Sequence, residues 1–312
     1  MNFKTISQII NESEANDLFK CYLAIRRESG HRWWSYKGFA GNKYFIQVTE
    51  NNIDKIDVDT SLPILNYSNL ITEKLIEKGC KLENVYNKPK DIDKSGSKKK
   101  FHDLVGEDEN LPKTVYTKSD ALKLGFPIIA KPTTGHSGIG IQVIKDKEEF
   151  DKADHSKFDL YSEFIDKKNE HRFFNFNGKP IVWLERKPMN DKAKSGDGEN
   201  DEEMNFQYIK HDHNKTPEKY KKVIEKFCKI MKDFPFICFD IMEDKSGKIY
   251  IIESNSQPGV PFDSTIQMYK SIFEDFYGRP VNKKTEEILN KYSKELDKRT
   301  LEKDDKRFKI EL

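Results

Sequence analysis

The chain has 312 residues, enough for two or three compact lobes, and at 36% hydrophobic content it is lean but globular. Its 55 Lys plus Arg nearly cancel its 53 Asp plus Glu, which excludes the global field that drives sequence-independent binding to nucleic acid or anionic membrane. The four cysteines, Cys21, Cys80, Cys228 and Cys238, lack C-x-x-C spacing, which argues against zinc and a disulfide framework, and the polar N-terminus carries no signal-peptide pattern. No apolar run is long enough to span a bilayer, so a cytoplasmic protein with no membrane partner is expected.

Residues 1–90 read as a small α/β lobe, with a short strand over 43–48 and a helical pattern over 67–78 that stops at Gly79. The cluster His31-Arg32-Trp33-Trp34 reads as core tryptophans with a flanking ion pair, with a place to hold an acceptor as the alternative. Residues 91–100 form a polar connector with Ser95-Gly96-Ser97 and three successive lysines, leading into a short helix over 101–105. An apolar strand follows, Phe126-Pro127-Ile128-Ile129-Ala130-Lys131-Pro132, and then the turn Thr133-Thr134-Gly135-His136-Ser137-Gly138-Ile139-Gly140. Glycines let backbone N–H groups approach phosphate oxygens, and a lysine at the strand end supplies a point charge. The loop is neither a Walker loop nor a Rossmann turn, so a strand-loop-strand cover over phosphates is the structural expectation, with an ordinary glycine-rich hairpin as the alternative.

A short helix over 147–152 precedes Leu160-Tyr161-Ser162-Glu163-Phe164-Ile165, and strands fit 172–175 and 180–186. Residues 190–203 are too polar to fold on themselves and read as a surface loop. His171 and the His211-Asp212-His213 cluster read as exposed polar positions with no metal or acid-base role. Thr216 as cap and Pro217 in the first turn open a helix reaching about Phe234. A hairpin over 235–255 carries Phe239-Asp240-Ile241 and then Ile251-Ile252-Glu253-Ser254-Asn255, which brings Asp240 near Glu253 and Asn255. Hard oxygen donors on one face of a pleat suit magnesium completed by water and phosphate. A helix over 261–276 and a charged helical tail from Lys283 close the chain.

The ordered set Lys98, Lys131-Pro132 with its glycine loop, Glu163-Phe164-Ile165, Glu170-x-Arg172, Arg186, Asp240 and Glu253-x-Asn255-x-x-Pro258-Gly259 resembles the ATP-grasp proteins. The likeness is to the ligase branch with ribosomal-protein glutamate ligases, D-alanine ligases and glutathione synthetases, and it runs from about Leu65 to Gly259. It implies an α+β or α/β architecture: an N-terminal lobe over 1–90, an ATP-grasp domain over 91–280 and the tail over 281–312. Within that domain a small nucleotide-covering subdomain spans about 112–165 and a larger metal-binding one about 166–280.

The resemblance implies that Lys98 and Lys131 contact ATP phosphates and that Gly135, His136, Ser137 and Gly138 close over them. Glu163, Phe164 and Ile165 would hold adenine, Glu170 the ribose hydroxyls, and Asp240, Glu253 and Asn255 one or two Mg2+ ions, with Mn2+ as a substitute. Lys99 and Lys100 remain alternatives to Lys98, because Ser97 stands where the family has Asp or Asn. Arg172, Arg186 and Lys131 are the implied catalytic groups, the arginines pointing to phosphate and acceptor; a surface ion pair is the alternative for Arg186. The implied reaction is amide or peptide bond formation through an acyl phosphate, on an amino acid, peptide or protein terminus. Two alternatives stay open: an ATP-grasp kinase acting on a hydroxyl, and a non-catalytic ATP-binding switch. The interval 190–203 lacks the Asn-x-x-x-Gly-Gly-like segment of many glutamate ligases, which leaves acceptor choice open. Such ligases are often dimers or tetramers, so a homo-oligomer is also open.

Overall fold

The computed structural model describes residues 19–25, 45–95, 97–133, 140–188, 206–258, 262–287, 290 and 308–310. The glycine turn from Thr134 to Ile139, the His31-Arg32-Trp33-Trp34 cluster and the whole interval 190–203 therefore lie outside the described residues. Two compact units emerge, one made of 1–89 with 259–303 and the other of 90–258 with 304–312.

The first unit holds a parallel sheet of β1 (Cys21–Ala24), β2 (Phe45–Val48), β3 (Ile64–Asn66) and β4 (Val85–Tyr86) in the order β2-β1-β3-β4. Helix α1 (Asn69–Glu77) starts where the Ser68 hydroxyl oxygen accepts from the Ile71 N–H at 3.4 Å, and it buries Ile71, Thr72 and Leu75. It ends at Gly79, whose φ of +100° is a left-handed conformation that an L side chain resists. The helix Phe262–Tyr277 also belongs to this unit and not to the one before it in sequence. The cause is its aromatic face: Phe19 packs on Phe273 and Tyr277, and the Tyr86 hydroxyl donates to Asp275 at 2.7 Å.

The second unit opens with α2 (Pro89–Ser95) and α3 (Lys98–Val105), so most of the expected polar connector is helical. Asp91 and Ile92 are buried there despite the surrounding lysines. A four-stranded antiparallel sheet follows, built from β5 (Thr114–Val115), β6 (Ile128–Lys131), β7 (Gln142–Ile144) and β8 (Leu160–Glu163) in the order β5-β8-β6-β7. Between its strands run α4 (Lys118–Ala121) and α5 (Lys147–Lys152). Phe150 fills its small core with Ile128, Ala130, Ile144 and Tyr161.

The larger sheet comprises β9 (Lys167–Phe176), β10 (Lys179–Pro188), β11 (Phe206–His211), β12 (Phe236–Asp244), β13 (Ile249–Asn255) and β14 (Phe308–Ile310). Their order is β13-β12-β9-β10-β11-β14. Asn177 and Gly178, both at positive φ, make the two-residue turn between β9 and β10. Helix α6 (Glu218–Ile230) covers one face: Tyr220, Ile224 and Phe227 pack with Phe173, Phe239, Ile241 and Ile251. Because strand side chains alternate, the face opposite α6 receives Glu170 and Arg172 from β9 and Asp240 and Met242 from β12.

Two local expectations change. Pro217, not Thr216, is the N-cap of α6, and the Thr216 hydroxyl donates to the His213 carbonyl at 2.7 Å, a bond that closes the preceding 3-10 turn. The segment expected to be a helical tail ends in β14, which pairs in parallel with β11 and forms the edge of the larger sheet.

Replacing Phe150 by Ala removes a fully buried ring from the small sheet's core and is expected to cost about 3–5 kcal/mol. Urea unfolding followed by tryptophan-independent far-UV dichroism checks it, and a loss under about 1 kcal/mol would mean that the pocket collapses around the missing ring.

Candidate active site

Asp240 stands opposite Arg172 on one side and opposite Glu253 on the other, so three charged groups form one row across β9, β12 and β13. That row depends on a β-bulge. Ile241 pairs with Ile251 while Asp240 pairs with Glu253, which leaves Ile252 as the extra residue. Strict alternation would send Glu253 to the same side as Ile249 and Ile251, both buried against α6. The bulge turns it instead to the side of Asp240.

Arg172 grips Asp240 with two bonds, Nε to Oδ1 at 2.6 Å and Nη2 to Oδ2 at 2.7 Å. Lys98, at the first turn of α3, places Nζ 3.9 Å from Glu253 Oε2, and its backbone N–H donates to the Thr133 carbonyl at 3.3 Å. Lys98 is thus the lysine of the run that faces the row. Lys99 pairs with Asp103, and the Lys100 ammonium donates to the Asp93 carbonyl at 2.6 Å.

Lys131, at the end of β6, is buried beside the same groups. Burial pushes its ammonium down to about 8; Glu253 opposes the fall and Lys98 adds to it. Burial and then the neighbouring Asp240 charge raise the Glu253 carboxyl above its ordinary value, against the pull of Lys98, Lys131 and Arg172. A carboxylate held this way gains from one more cation beside it.

One row further along the same face, Glu170 accepts from Arg186 Nη1 at 2.7 Å and from Lys167 Nζ at 2.6 Å. Burial works against its charge, but Arg186 and Lys167 outweigh that and hold the carboxyl below its ordinary value. Arg186 is opposite Tyr208 on β11, and the Arg172 guanidinium lies 6.0 Å from the Tyr208 ring centre. Glu163, Phe164, Ile165 and Asp166 join the two sheets of this unit and line a cavity of about 200 Å3 with Asp244, Lys245, Ser246 and Tyr250. Asn255 is exposed, and its side-chain oxygen accepts from the Gln257 N–H at 2.9 Å, an Asx turn that ties it to its own strand end.

The stem of the glycine turn is fixed: the Thr133 N–H and hydroxyl both donate to Asp159 Oδ2, at 2.8 and 3.1 Å. Gly135, His136, Ser137 and Gly138 lie outside the described residues.

Three residues at the site were not singled out by sequence reasoning. His102 lies one helical turn after Lys98, and burial, with Lys131 beside it, takes its imidazole to about 4; the i,i+4 spacing from Lys98 was the available signal. Tyr250 and Tyr208 reach the site face through strand register, which no local pattern announces. His171 and His211 differ from the exposed positions expected. His171 is buried, accepts from Trp183 Nε1–H at 3.1 Å and is held to about 4 by burial, while His211 packs on Trp183 and meets Glu185 at 3.0 Å. Both lie toward the α6 side, where aromatic packing outweighs the polarity of the local sequence.

No protein-family model and no curated protein sequence matches the chain. Solved structures do. D-alanine–D-alanine ligase from Bacillus anthracis superposes with a TM-score of 0.56 at 18% identity, covering 90% of this chain and 99% of that one. The macrocyclase MdnC from Microcystis aeruginosa, bound to precursor peptide MdnA, gives 0.56 at 10% identity over 83% and 100% of the two chains. A Chryseobacterium gregarium RiPP-associated ATP-grasp ligase, in complex with ADP and a leader and core peptide, gives 0.52 at 15% identity over 83% and 97%. The chain therefore has the ATP-grasp fold, the fold of these ligases.

The proximity of Glu253 to Lys131 sets an expected titration. Because Glu253 holds the Lys131 charge up, Glu253→Gln should move the Lys131 midpoint further below about 8, read by NMR of its Nζ. An unchanged midpoint would separate the two groups.

Proposed function

We propose that the chain is an ATP- and Mg2+-dependent ligase that joins a carboxylate to an amine through an acyl phosphate. The observation that carries this reading is the row Glu253–Asp240–Arg172 with Lys98 and Lys131 beside it: two opposed carboxylates next to three cations. The ATP-grasp fold on which the row sits supports it.

The donor set fits a hard divalent cation. Among the described residues no group of three His, Cys, Asp or Glu could hold a metal alone. Two carboxylates and the amide of Asn255 are an incomplete oxygen set, of the kind that suits Mg2+ when phosphate oxygens supply further ligands. Asp240, Glu253 and Asn255 would hold the ion, which when bound neutralises phosphate charge. Lys131 and Lys98 balance the remaining charge on the transferring phosphoryl group. Arg172 and Arg186 orient phosphate and acceptor carboxylate, since a planar guanidinium binds either in a bidentate manner. The cavity lined by Glu163 to Asp166 and by Tyr250 offers a partly apolar seat for the base, and Glu170 a carboxylate for the ribose hydroxyls. The small sheet, within 112–165, with the turn from Gly135 to Gly138 is read as the nucleotide cover, which excludes water from the acyl phosphate.

In the first step a substrate carboxylate oxygen attacks the terminal phosphorus and ADP leaves. In the second, an amine attacks the activated carbonyl and phosphate leaves. No nucleophile from the protein is required. Structural neighbours that hold peptides favour an amino acid, peptide or protein terminus as substrate, in agreement with the resemblance drawn from sequence.

The test is ADP release from Mg-ATP against a panel of amino acids and short peptides, singly and in pairs, with product masses recorded. A condensation product that needs both partners is expected. A stable product gaining one phosphate without an amine would replace the ligase with a kinase, and nucleotide binding with no turnover would favour a switch. Lys131→Ala should weaken nucleotide binding at least about tenfold, because a hydrogen bond to a charged group is worth on the order of 1.5–3 kcal/mol. Glu253→Gln should abolish turnover with the fold retained; unchanged ADP production would remove Glu253 from the metal site.

A further inference from the structure

Both oxygens of Asp240 are engaged by one guanidinium. A metal ion on Asp240 needs at least one of them, so the ion and Arg172 compete for the same carboxylate. We infer that Arg172 is a built-in counter-cation that guards the metal carboxylates against a bare divalent ion and yields them only when phosphate offers the guanidinium a new partner. This rests on the metal site of the proposed function and goes beyond it, since it makes metal binding conditional on nucleotide.

Three features support the exchange. Asp240 and Glu253 are directly opposed on neighbouring strands, where two like charges are destabilising, and Asp240 is compensated by the two-bonded Arg172 fork. The pair is not sealed: the side chains of Arg172 and Asp240 keep 29% and 27% of their exposure, so the guanidinium has room to turn. The Tyr208 ring, 6.0 Å away, gives the cation an aromatic face beside its position on Asp240. The same arrangement recurs one row along, where Arg186 from the next strand holds Glu170, the carboxylate read as the ribose partner. Asp240 and Glu170, two of the carboxylates assigned to the nucleotide complex, are thus each held by an arginine assigned to phosphate or acceptor. Binding swaps ion pairs instead of stripping them, so no buried charge is left uncompensated during the exchange.

The experiment measures Mn2+ binding to the full chain by electron paramagnetic resonance, with and without ADP, for the natural protein, Arg172→Met and Arg172→Lys. The natural chain should bind Mn2+ strongly only with ADP. Arg172→Met should bind Mn2+ alone at least about tenfold more tightly, the loss of one charged bidentate competitor. Arg172→Lys, which keeps the charge but not the fork, should fall between them. Equal or weaker Mn2+ affinity in Arg172→Met, with cooperative thermal unfolding retained, overturns the inference. Should Arg172→Met fail to fold, Arg172→Lys decides alone: tighter binding than the natural chain supports the inference and equal or weaker binding overturns it. Glu253→Gln in the folded Arg172 variant separates the two readings. If it abolishes Mn2+ binding, the metal site stands whatever the outcome for Arg172; if it changes nothing, the metal site itself is wrong and the inference falls with it.

Discussion

Two carboxylates directly opposite each other on paired strands repel, and much of the second unit answers that constraint. Asp240 and Glu253 cannot share a face of the sheet without cations beside them. The molecule brings those cations from four separate elements: Arg172 from β9, Lys98 from α3, Lys131 from β6, and Arg186 one row away on β10. Each of these elements is held by its own apolar contacts, so the compensation is built by the fold and not by flexible surface side chains. Phe101 anchors α3 in the core under α6, and Ile128 and Ala130 anchor β6 in the small sheet.

The division of the larger sheet into two faces is what lets this happen. Phe173, Phe239 and Ile241 are taken up by α6, and period two then hands the opposite side to Arg172 and Asp240. The aromatic cluster of Trp183, His171, Tyr220 and His211 stiffens the covered side, and the Tyr220 hydroxyl donates to the buried Glu243 at 2.5 Å. The polar atoms of Trp183, His171, His211 and Tyr220 find partners on that side, which keeps them out of competition with the charged face.

Much of the site's composition was legible in the sequence because it is carried by short apolar runs ending in one charged residue. The run ending in Lys131 and the run holding Asp240 both form strands, and Gly79 and Lys147 to Lys152 mark helix boundaries where their chemistry places them. What was not legible depends on register and on contacts far apart in the chain. The burial of His171 comes from Trp183 and Tyr220, 12 and 49 positions away, and polarity of the neighbours pointed to the surface. The helix Phe262–Tyr277 joins the first unit because Phe19 and Tyr86 receive it, more than 180 residues upstream. Strand β14 follows a lysine- and glutamate-rich stretch whose composition favours helix, and its pairing with β11, about 100 residues upstream, is a contact that composition does not announce. Among Lys98, Lys99 and Lys100 the choice was geometric: the start of α3 at Lys98 turns that residue toward Glu253 and its neighbours toward Asp103 and Asp93.

The bulge at Ile252 makes the end of β13 sensitive to parity. On either side of it the strand alternates in opposite phase, apolar residues inward before and charged or amide groups toward Asp240 after. A substitution at Ile252 leaves that phase intact, and so does its deletion, because Glu253 would then follow Ile251 directly and plain alternation would turn it toward Asp240. An unbulged strand of the same length would instead set Ile252 opposite Asp240 and direct Glu253 at the apolar layer under α6. The bulge is therefore an insertion that the ladder absorbs as a local bend, and over evolutionary time the pairing of Asp240 with Glu253 should be inherited more rigidly than the residue count or the identity of Ile252.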